Sequence, residues 1–178
     1  MTLEQQIAAW DGKTAAPLEE IYQSQAATPD FIPVLLLLIA TESTQSGATW
    51  LLKYHTDAGN LLPPEILEQI YAQLPSQTQW DAKLHLLQCF PKWPMPETAL
   101  SSIHPFLHSC LKAQSKFVRA WVYSGFYTLA HQHPQFQAEA QALLAQAHLE
   151  EAASIKARIR QTYKIDAASS RPFLEQPE

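Results

Sequence analysis

The segment KFVRAWVYSGFYTLAH, residues 116–131, has the longest regular spacing of apolar residues in the chain. Its apolar residues recur at steps of three and four, which is the spacing of one face of an α-helix. That face consists of Val118, Trp121, Val122, Gly125 and Leu129. A second apolar stripe adjoins it and leaves only Lys116, Ser124 and Thr128 as a polar edge. The pattern predicts a helix that is buried between neighbouring helices.

The same segment carries a motif that recurs along the chain. Val118-Arg119, Val122-Tyr123, Gly125-Phe126 and Leu129 resemble the second helix of a HEAT repeat. Weaker copies begin at Ala48-Thr49, Ala82-Lys83 and Ile155-Lys156. The second residues of the four copies, Thr49, Lys83, Arg119 and Lys156, are separated by 34, 36 and 37 residues. This period is typical of repeats built from a pair of helices. The resemblance therefore implies a HEAT-like α-solenoid.

The rest of the sequence fits an all-helical chain. It contains only four glycines, and most of its thirteen prolines stand where helices are expected to begin or end. We expect an α-α superhelix of about ten helices in about five antiparallel pairs. Residues 1–166 are predicted to form a single domain, and residues 167–178 a mobile tail.

Several composition features limit the class of protein. The two cysteines, Cys89 and Cys110, lie in apolar helices and are expected to be reduced core residues. The first residues lack the pattern of a signal peptide. The apolar run from Val34 to Ala40 is too short for a membrane span, which needs about 20 residues, and predicts instead a helix buried on nearly all sides. A soluble, cytoplasmic protein without a membrane segment is expected. Trp93, in a proline-rich connector, is expected to cover the edge of the core.

Charge is distributed unevenly along the chain. Residues 1–100 contain four basic and eleven acidic residues, a net charge of −7, whereas residues 101–178 contain eight basic and six acidic residues, a net charge of +2. Lys156, Arg160 and Lys164 are spaced by four residues and share one face of the last helix. This face is either a solvated end of the stack or a patch that binds an acidic protein segment or nucleic-acid phosphate.

No motif in the sequence indicates a catalytic or cofactor site. His104 and His108 stand one helical turn apart with Cys110 close behind, but Pro105 interrupts the turn and no further pair of ligands stands out. We therefore predict no metal site and no cofactor. The chain lacks GxGxxG, P-loop, HExxH and GxSxG patterns. Glu42, Tyr54 and Asp57 lie near a predicted helix pair, but they are not assigned a catalytic role.

These observations predict a non-enzymatic scaffold that binds a protein partner on its concave helices. The residues expected to contribute to that surface are Lys83, Arg119, Tyr123, Lys156 and Arg160. In HEAT repeats the basic residue equivalent to Arg119 often bonds to an acidic residue of a neighbouring repeat, so a structural role for Arg119 is equally compatible. The alternative function is nucleic-acid binding, because HEAT-like DNA glycosylases share the architecture. Bilin lyases also contain such repeats, but no pigment-site pattern is present. The oligomeric state is left open.

Overall fold

The computed structural model describes residues 1–176 and is helical throughout, with no β-strand in that range. Ten α-helices occur among the described residues, as the sequence predicts. They are α1 (Leu3–Ala8), α2 (Ala16–Gln25), α3 (Phe31–Ile39), α4 (Gln45–Asp57), α5 (Pro64–Ala72), α6 (Trp80–Cys89), α7 (Leu100–Leu111), α8 (Lys116–Gln132), α9 (Gln137–Glu150) and α10 (Ala153–Ala167). Short 3-10 helices at Leu74–Ser76, Phe90–Lys92, Glu97–Ala99 and Pro134–Phe136 shorten the connections.

The helix ends follow local side-chain chemistry. The hydroxyl of Thr2 accepts a hydrogen bond from the backbone N–H of Gln5, whose side chain accepts one from the N–H of Thr2. Ser115 caps α8 in a similar way through the N–H of Val118. Gly59, with φ of +86°, reverses the chain after α4. None of the described helices is both long and apolar enough to cross a membrane.

The chain divides into two compact units, Met1 to Phe106 and Leu107 onward. In the first unit α4 is the central helix, and it packs against α1, α2, α3 and α6. Trp93 is buried there, with its ring edge-to-face against Tyr71 at 6.2 Å between centroids, which confirms its predicted place at the core. In the second unit α8 packs against both α9 and α10.

The apolar run in α3 is less buried than its sequence predicts. Four residues of the run are in the core, but Leu37 is 70% exposed and Val34 is only partly covered. The expectation of burial on nearly all sides is therefore wrong at Leu37. A helix in contact with only one layer of neighbours leaves one stripe in water, however apolar that stripe is.

The predicted polar edge of α8 is also different in the structure. Ser124 and Thr128 are both buried. The Ser124 hydroxyl lies 3.2 Å from that of Thr162 on α10, and the Thr128 hydroxyl donates to the Ser124 carbonyl at 2.9 Å. Because these hydroxyl groups find partners inside the protein, their burial costs little. The burial of α8 between its neighbours is thus more complete than its sequence predicts.

The segment after α10 folds back over the second unit. The buried carboxylate of Asp166 accepts hydrogen bonds from the backbone N–H groups of Phe173 and Leu174, at 3.2 and 2.9 Å. The ring of Phe173 stacks on Tyr127 at 5.4 Å between centroids. The last two residues of the tail predicted to be mobile lie outside the described residues.

Gly47 in α4 provides a direct test of this packing. A Cβ atom at Gly47 would lie 2.7 Å from Cγ2 of Ile7 in α1. Alanine favours a helix over glycine by about 1 kcal/mol, but overpacking costs about 1–3 kcal/mol. We expect Gly47→Ala to lower the free energy of unfolding by roughly 1 kcal/mol in urea denaturation. In an Ile7→Ala background the same change should be neutral or stabilising. A stabilised Gly47→Ala protein would contradict the close approach of α1 and α4.

Candidate partner-binding surfaces

One side of α4 in the first unit carries a row of aromatic side chains. Trp50 and Tyr54 are one helical turn apart, and their rings stack at 5.0 Å with an interplanar angle of 20°. Tyr22 of α2 meets Tyr54 edge-to-face at 4.8 Å. All three side chains are partly exposed. We call Tyr22, Tyr54 and Trp50 the aromatic row; it offers flat apolar surface with polar atoms at its margins.

Hydrogen bonds hold one end of the aromatic row in place. The Tyr22 hydroxyl lies 3.0 Å from Nδ1 of His55 and accepts a hydrogen bond from the Asn60 amide at 3.2 Å. Burial raises the pKa of Tyr22 and lowers the pKa of His55. At neutral pH both groups are therefore uncharged, and the row is polar but not ionic at this end.

Charged side chains flank the aromatic row on the same side of α4. The Asp57 carboxylate accepts hydrogen bonds from Lys53 and Lys92, each at 2.5 Å. Burial opposes ionisation of Asp57, but these two ammonium groups lower its pKa below the usual value. Farther along α4, Ser46 donates a hydrogen bond to Asp81 of α6 at 2.6 Å. These bonds fix the geometry of the surface beside the aromatic rings.

The contact between α4 and α6 also holds a histidine in one protonation state. Nδ1 of His85 lies 3.0 Å from the Thr49 hydroxyl, which donates its own hydrogen to the Gln45 carbonyl at 2.7 Å. With the Thr49 hydrogen on that carbonyl, a protonated Nδ1 of His85 would be the donor of this pair. Burial lowers the pKa of His85 to about 4, against a smaller opposing effect of Asp81. Nearby Cys89 is unreactive, because burial raises the pKa of its thiol to about 12.

In the second unit, two of the residues expected to bind a partner contact the protein itself. The Tyr123 hydroxyl donates to the Glu151 carboxylate at 3.0 Å, and Nε of Arg119 lies 3.6 Å from the same oxygen. The Arg119 guanidinium also donates to the carbonyls of Ala113 and Gln114, at 2.7 and 3.2 Å. Tyr123 is only 6% exposed. This arrangement joins α8 to the connection between α9 and α10, which supports the structural role weighed for Arg119.

The other three expected residues are Lys83 on α6 of the first unit and, one turn apart on α10 of the second unit, Lys156 and Arg160. Lys156 donates to the carbonyl of Leu149 at the end of α9, at 2.8 Å. Arg160 is exposed on α10. Asp81 of α6 faces α4, because it accepts a hydrogen bond from Ser46. Lys83 is two positions later, about 200° around the helix, and therefore faces away from α4. The role of these five residues in partner binding stays a prediction.

Sequence reasoning missed a cation–π contact on α10. The guanidinium of Arg158 lies over the ring of Trp121, with Cζ 3.5 Å from the ring centroid. Its Nε atom is buried without a hydrogen-bond partner, and burial lowers its pKa. Both residues are partly exposed and belong to the second unit. The two residues are 37 positions apart in sequence, so only the packing of α10 on α8 reveals the contact.

The histidines considered as metal ligands occupy α7. Within the second unit, Nε2 of His108 lies 2.8 Å from the Glu139 carboxylate of α9, and its ring meets Phe126 edge-to-face at 5.2 Å. His104 stands one turn earlier, on the part of α7 that belongs to the first unit. Pro105 lies between them, inside the helix as expected. The absence of a bound metal stays a prediction.

No protein-family model matches this chain, and neither a curated protein nor a solved structure is similar enough to count as a match.

The low pKa of His85 predicts a specific dependence of stability on pH. Because the folded pKa lies below that of the unfolded chain, the unfolded state binds more protons between about pH 4 and 6.5. The contribution of neutral His85 is complete above this range and is lost as the pH falls through it. His85→Gln retains a donor for Thr49 but cannot be protonated, so its stability should fall less between pH 7 and 4. Exposed His131→Gln is the matched control. Equal acid sensitivity of wild type and His85→Gln in chemical denaturation would contradict the burial of His85.

Proposed function

We propose that this chain is a HEAT-like helical-repeat scaffold that binds a protein partner through the second helix of each pair. Two packing patterns support the repeat. In the first unit α2, α4 and α6 lie in succession against one another, and in the second unit α8 packs on α10. When helix pairs stack into a superhelix, the second helix of each pair is expected to pack against the second helix of the next pair, two helices farther along the chain.

The positions of the repeated motif agree with this assignment. The four polar motif residues each occur at the fourth or fifth position of an even-numbered helix. They are Thr49 in α4, Lys83 in α6, Arg119 in α8 and Lys156 in α10. Because the motif residue stands at an equivalent position in each even-numbered helix from α4 to α10, we take these helices as the second helices of successive pairs. This supports a repeat of about five antiparallel pairs.

The observation that carries the proposed function is the aromatic row. Tyrosine and tryptophan are enriched at protein interfaces and among the residues that dominate binding energy. Trp50 and Tyr54 are already ordered by stacking on each other, and Tyr54 also meets Tyr22 edge-to-face. Their binding to another protein would therefore lose little side-chain entropy. The paired charges beside them suit the polar rim that surrounds an apolar interface core.

Charge favours a protein over a nucleic acid at this surface. Residues 1–106 contain four basic and eleven acidic residues, and the two lysines nearest the aromatic row, Lys53 and Lys92, both pair with Asp57. Binding to phosphates depends on free lysine and arginine side chains that displace counterions. The first unit has few of these to offer.

The test is retention of a partner by purified wild-type and variant protein from nuclease-treated lysate. Trp50→Ser/Tyr54→Ser should weaken the binding of a retained protein by about 30-fold or more, as expected for loss of about 2 kcal/mol at a hot spot. Leu37→Ser is the matched control, because it removes an exposed apolar side chain from α3. Circular dichroism establishes that each variant is folded. Retention of the same partner by the double variant, or its loss with Leu37→Ser, would contradict the proposal.

Nucleic-acid binding is the second candidate function. The observation that favours it is the positive charge of α10. This helix carries Lys156, Arg158, Arg160 and Lys164. Its one carboxylate, Asp166, is buried and bonded to the backbone N–H groups of residues 173 and 174. A guanidinium stacked on tryptophan is also a surface on which an unpaired base can stack.

This candidate predicts binding of a labelled oligonucleotide that weakens as salt increases. Lys156→Gln/Arg160→Gln should reduce the slope of log K against log salt by about 0.7 to 0.9 for each phosphate that the variant no longer neutralises. Lys13→Gln, which removes an exposed charge from the first unit, is the control. The nucleic-acid function would be excluded by no binding at low salt, or by an unchanged slope in the double variant.

A further inference from the structure

The length of the aromatic row restricts what can lie along it. The ring centroids of Tyr22 and Tyr54 are 4.8 Å apart, and those of Tyr54 and Trp50 are 5.0 Å apart. The distance from the first ring to the last is therefore at most about 10 Å. A partner segment that contacts both ends of the row needs two apolar groups with about this separation.

Two hydrogen-bond donors of the aromatic row remain available to a partner. Within residues 1–176, the indole N–H of Trp50 and the hydroxyl of Tyr54 form no hydrogen bond with the protein, and neither is enclosed by it. The Tyr22 hydroxyl, in contrast, is already engaged by His55 and Asn60. A segment that offers carbonyl oxygens above Trp50 and Tyr54 would satisfy both donors.

The charges around the aromatic row favour an uncharged occupant. Lys53 and Lys92 both pair with Asp57, so this cluster beside the row has a net charge of +1 and disfavours a cation on the rings. An anion is disfavoured by the negative faces of the rings themselves. A charged group placed on the row would also lose its hydration without gaining an opposite charge.

A polyproline II segment has this length and this chemistry. It rises about 3.1 Å per residue with three residues per turn, so residues three positions apart lie on the same side about 9 Å apart. Proline rings are apolar and uncharged, and the backbone carbonyls of the segment have no internal hydrogen bonds. Because the conformation is formed before binding, aromatic surfaces recognise such segments at a low cost in entropy.

On the basis of the proposed function, we infer that the aromatic row binds a proline-rich segment of the partner protein in the polyproline II conformation. One proline lies against Tyr22 and Tyr54, and a second, three positions away, lies against Trp50. Carbonyl groups of the segment accept hydrogen bonds from the Trp50 indole and the Tyr54 hydroxyl.

The test is a titration of the full chain with two capped nonapeptides, followed by NMR of the Trp50 indole N–H. Comparison with Trp50→Phe identifies that signal among the five tryptophans. The spaced peptide is Ala-Pro-Ala-Ala-Pro-Ala-Ala-Pro-Ala, with prolines three positions apart. The clustered peptide, Ala-Ala-Ala-Pro-Pro-Pro-Ala-Ala-Ala, has the same composition but no two prolines at that spacing. We expect the spaced peptide to shift the Trp50 signal to saturation at a lower concentration.

Tyr54→Phe keeps the ring of the row and removes one donor. It should weaken binding of the spaced peptide by about fivefold, as expected for one neutral hydrogen bond. Tyr163→Phe is the matched control, because it removes a tyrosine hydroxyl from α10 in the second unit. Equal affinities of Tyr54→Phe and the control protein would overturn the assigned hydrogen bond and the proposed mode of binding.

The proposal is also overturned by an unmoved Trp50 signal or by equal affinities for the two peptides. A Trp50 signal that moves when the protein alone is diluted would assign the row to a second copy of this chain instead. These outcomes leave the scaffold function standing if Trp50→Ser/Tyr54→Ser still loses a protein retained from lysate. Loss of that retention effect, with no response to peptide, would overturn both.

Discussion

The packing of α4 is the constraint on which the first unit depends. The helices α1, α2, α3 and α6 pack against α4, and at Gly47 the side chain of Ile7 comes so close that only a hydrogen fits in place of a side chain. The buried hydroxyls of Thr49 and Thr56 bond to backbone carbonyls four residues earlier, so they can face the core without an unsatisfied donor. One stripe of α4 is then left for solvent. That stripe carries the aromatic and charged groups on which the proposed function rests.

Much of the fold could be predicted from the spacing of apolar residues, because burial of one face selects a helical period whatever the partner is. The number of helices and the buried position of Val118 follow from that rule. The burial of Ser124 and the exposure of Leu37 do not follow from it. Ser124 is buried because the hydroxyl of Thr162 lies opposite it and pairs with it. Leu37 is exposed because no neighbouring helix covers its side of α3. Both depend on which helices become neighbours.

The candidate site was harder to predict for the same reason. Arg119 and Tyr123 have the residue types of a binding surface, but Glu151, about 30 positions later, accepts a hydrogen bond from Tyr123 and forms an ion pair with Arg119. Trp50 and Tyr54 are spaced by one turn, which the sequence does reveal, yet aromatic residues at helical spacing usually indicate core. Only the open side of α4 distinguishes them. The exposed aromatic groups, more than the positive charges of the repeated motif, therefore define the surface that supports partner binding.

The most direct test of partner binding at the aromatic row is hydroxyl-radical footprinting of the chain, alone and with its retained partner. The method reports the exposure of individual side chains, and tryptophan and tyrosine are suitable reporters. If a protein binds the aromatic row, oxidation of Trp50 and Tyr54 should fall on complex formation while that of Leu37 on α3 stays the same. Unchanged oxidation of Trp50 and Tyr54 in a saturated complex would contradict the account.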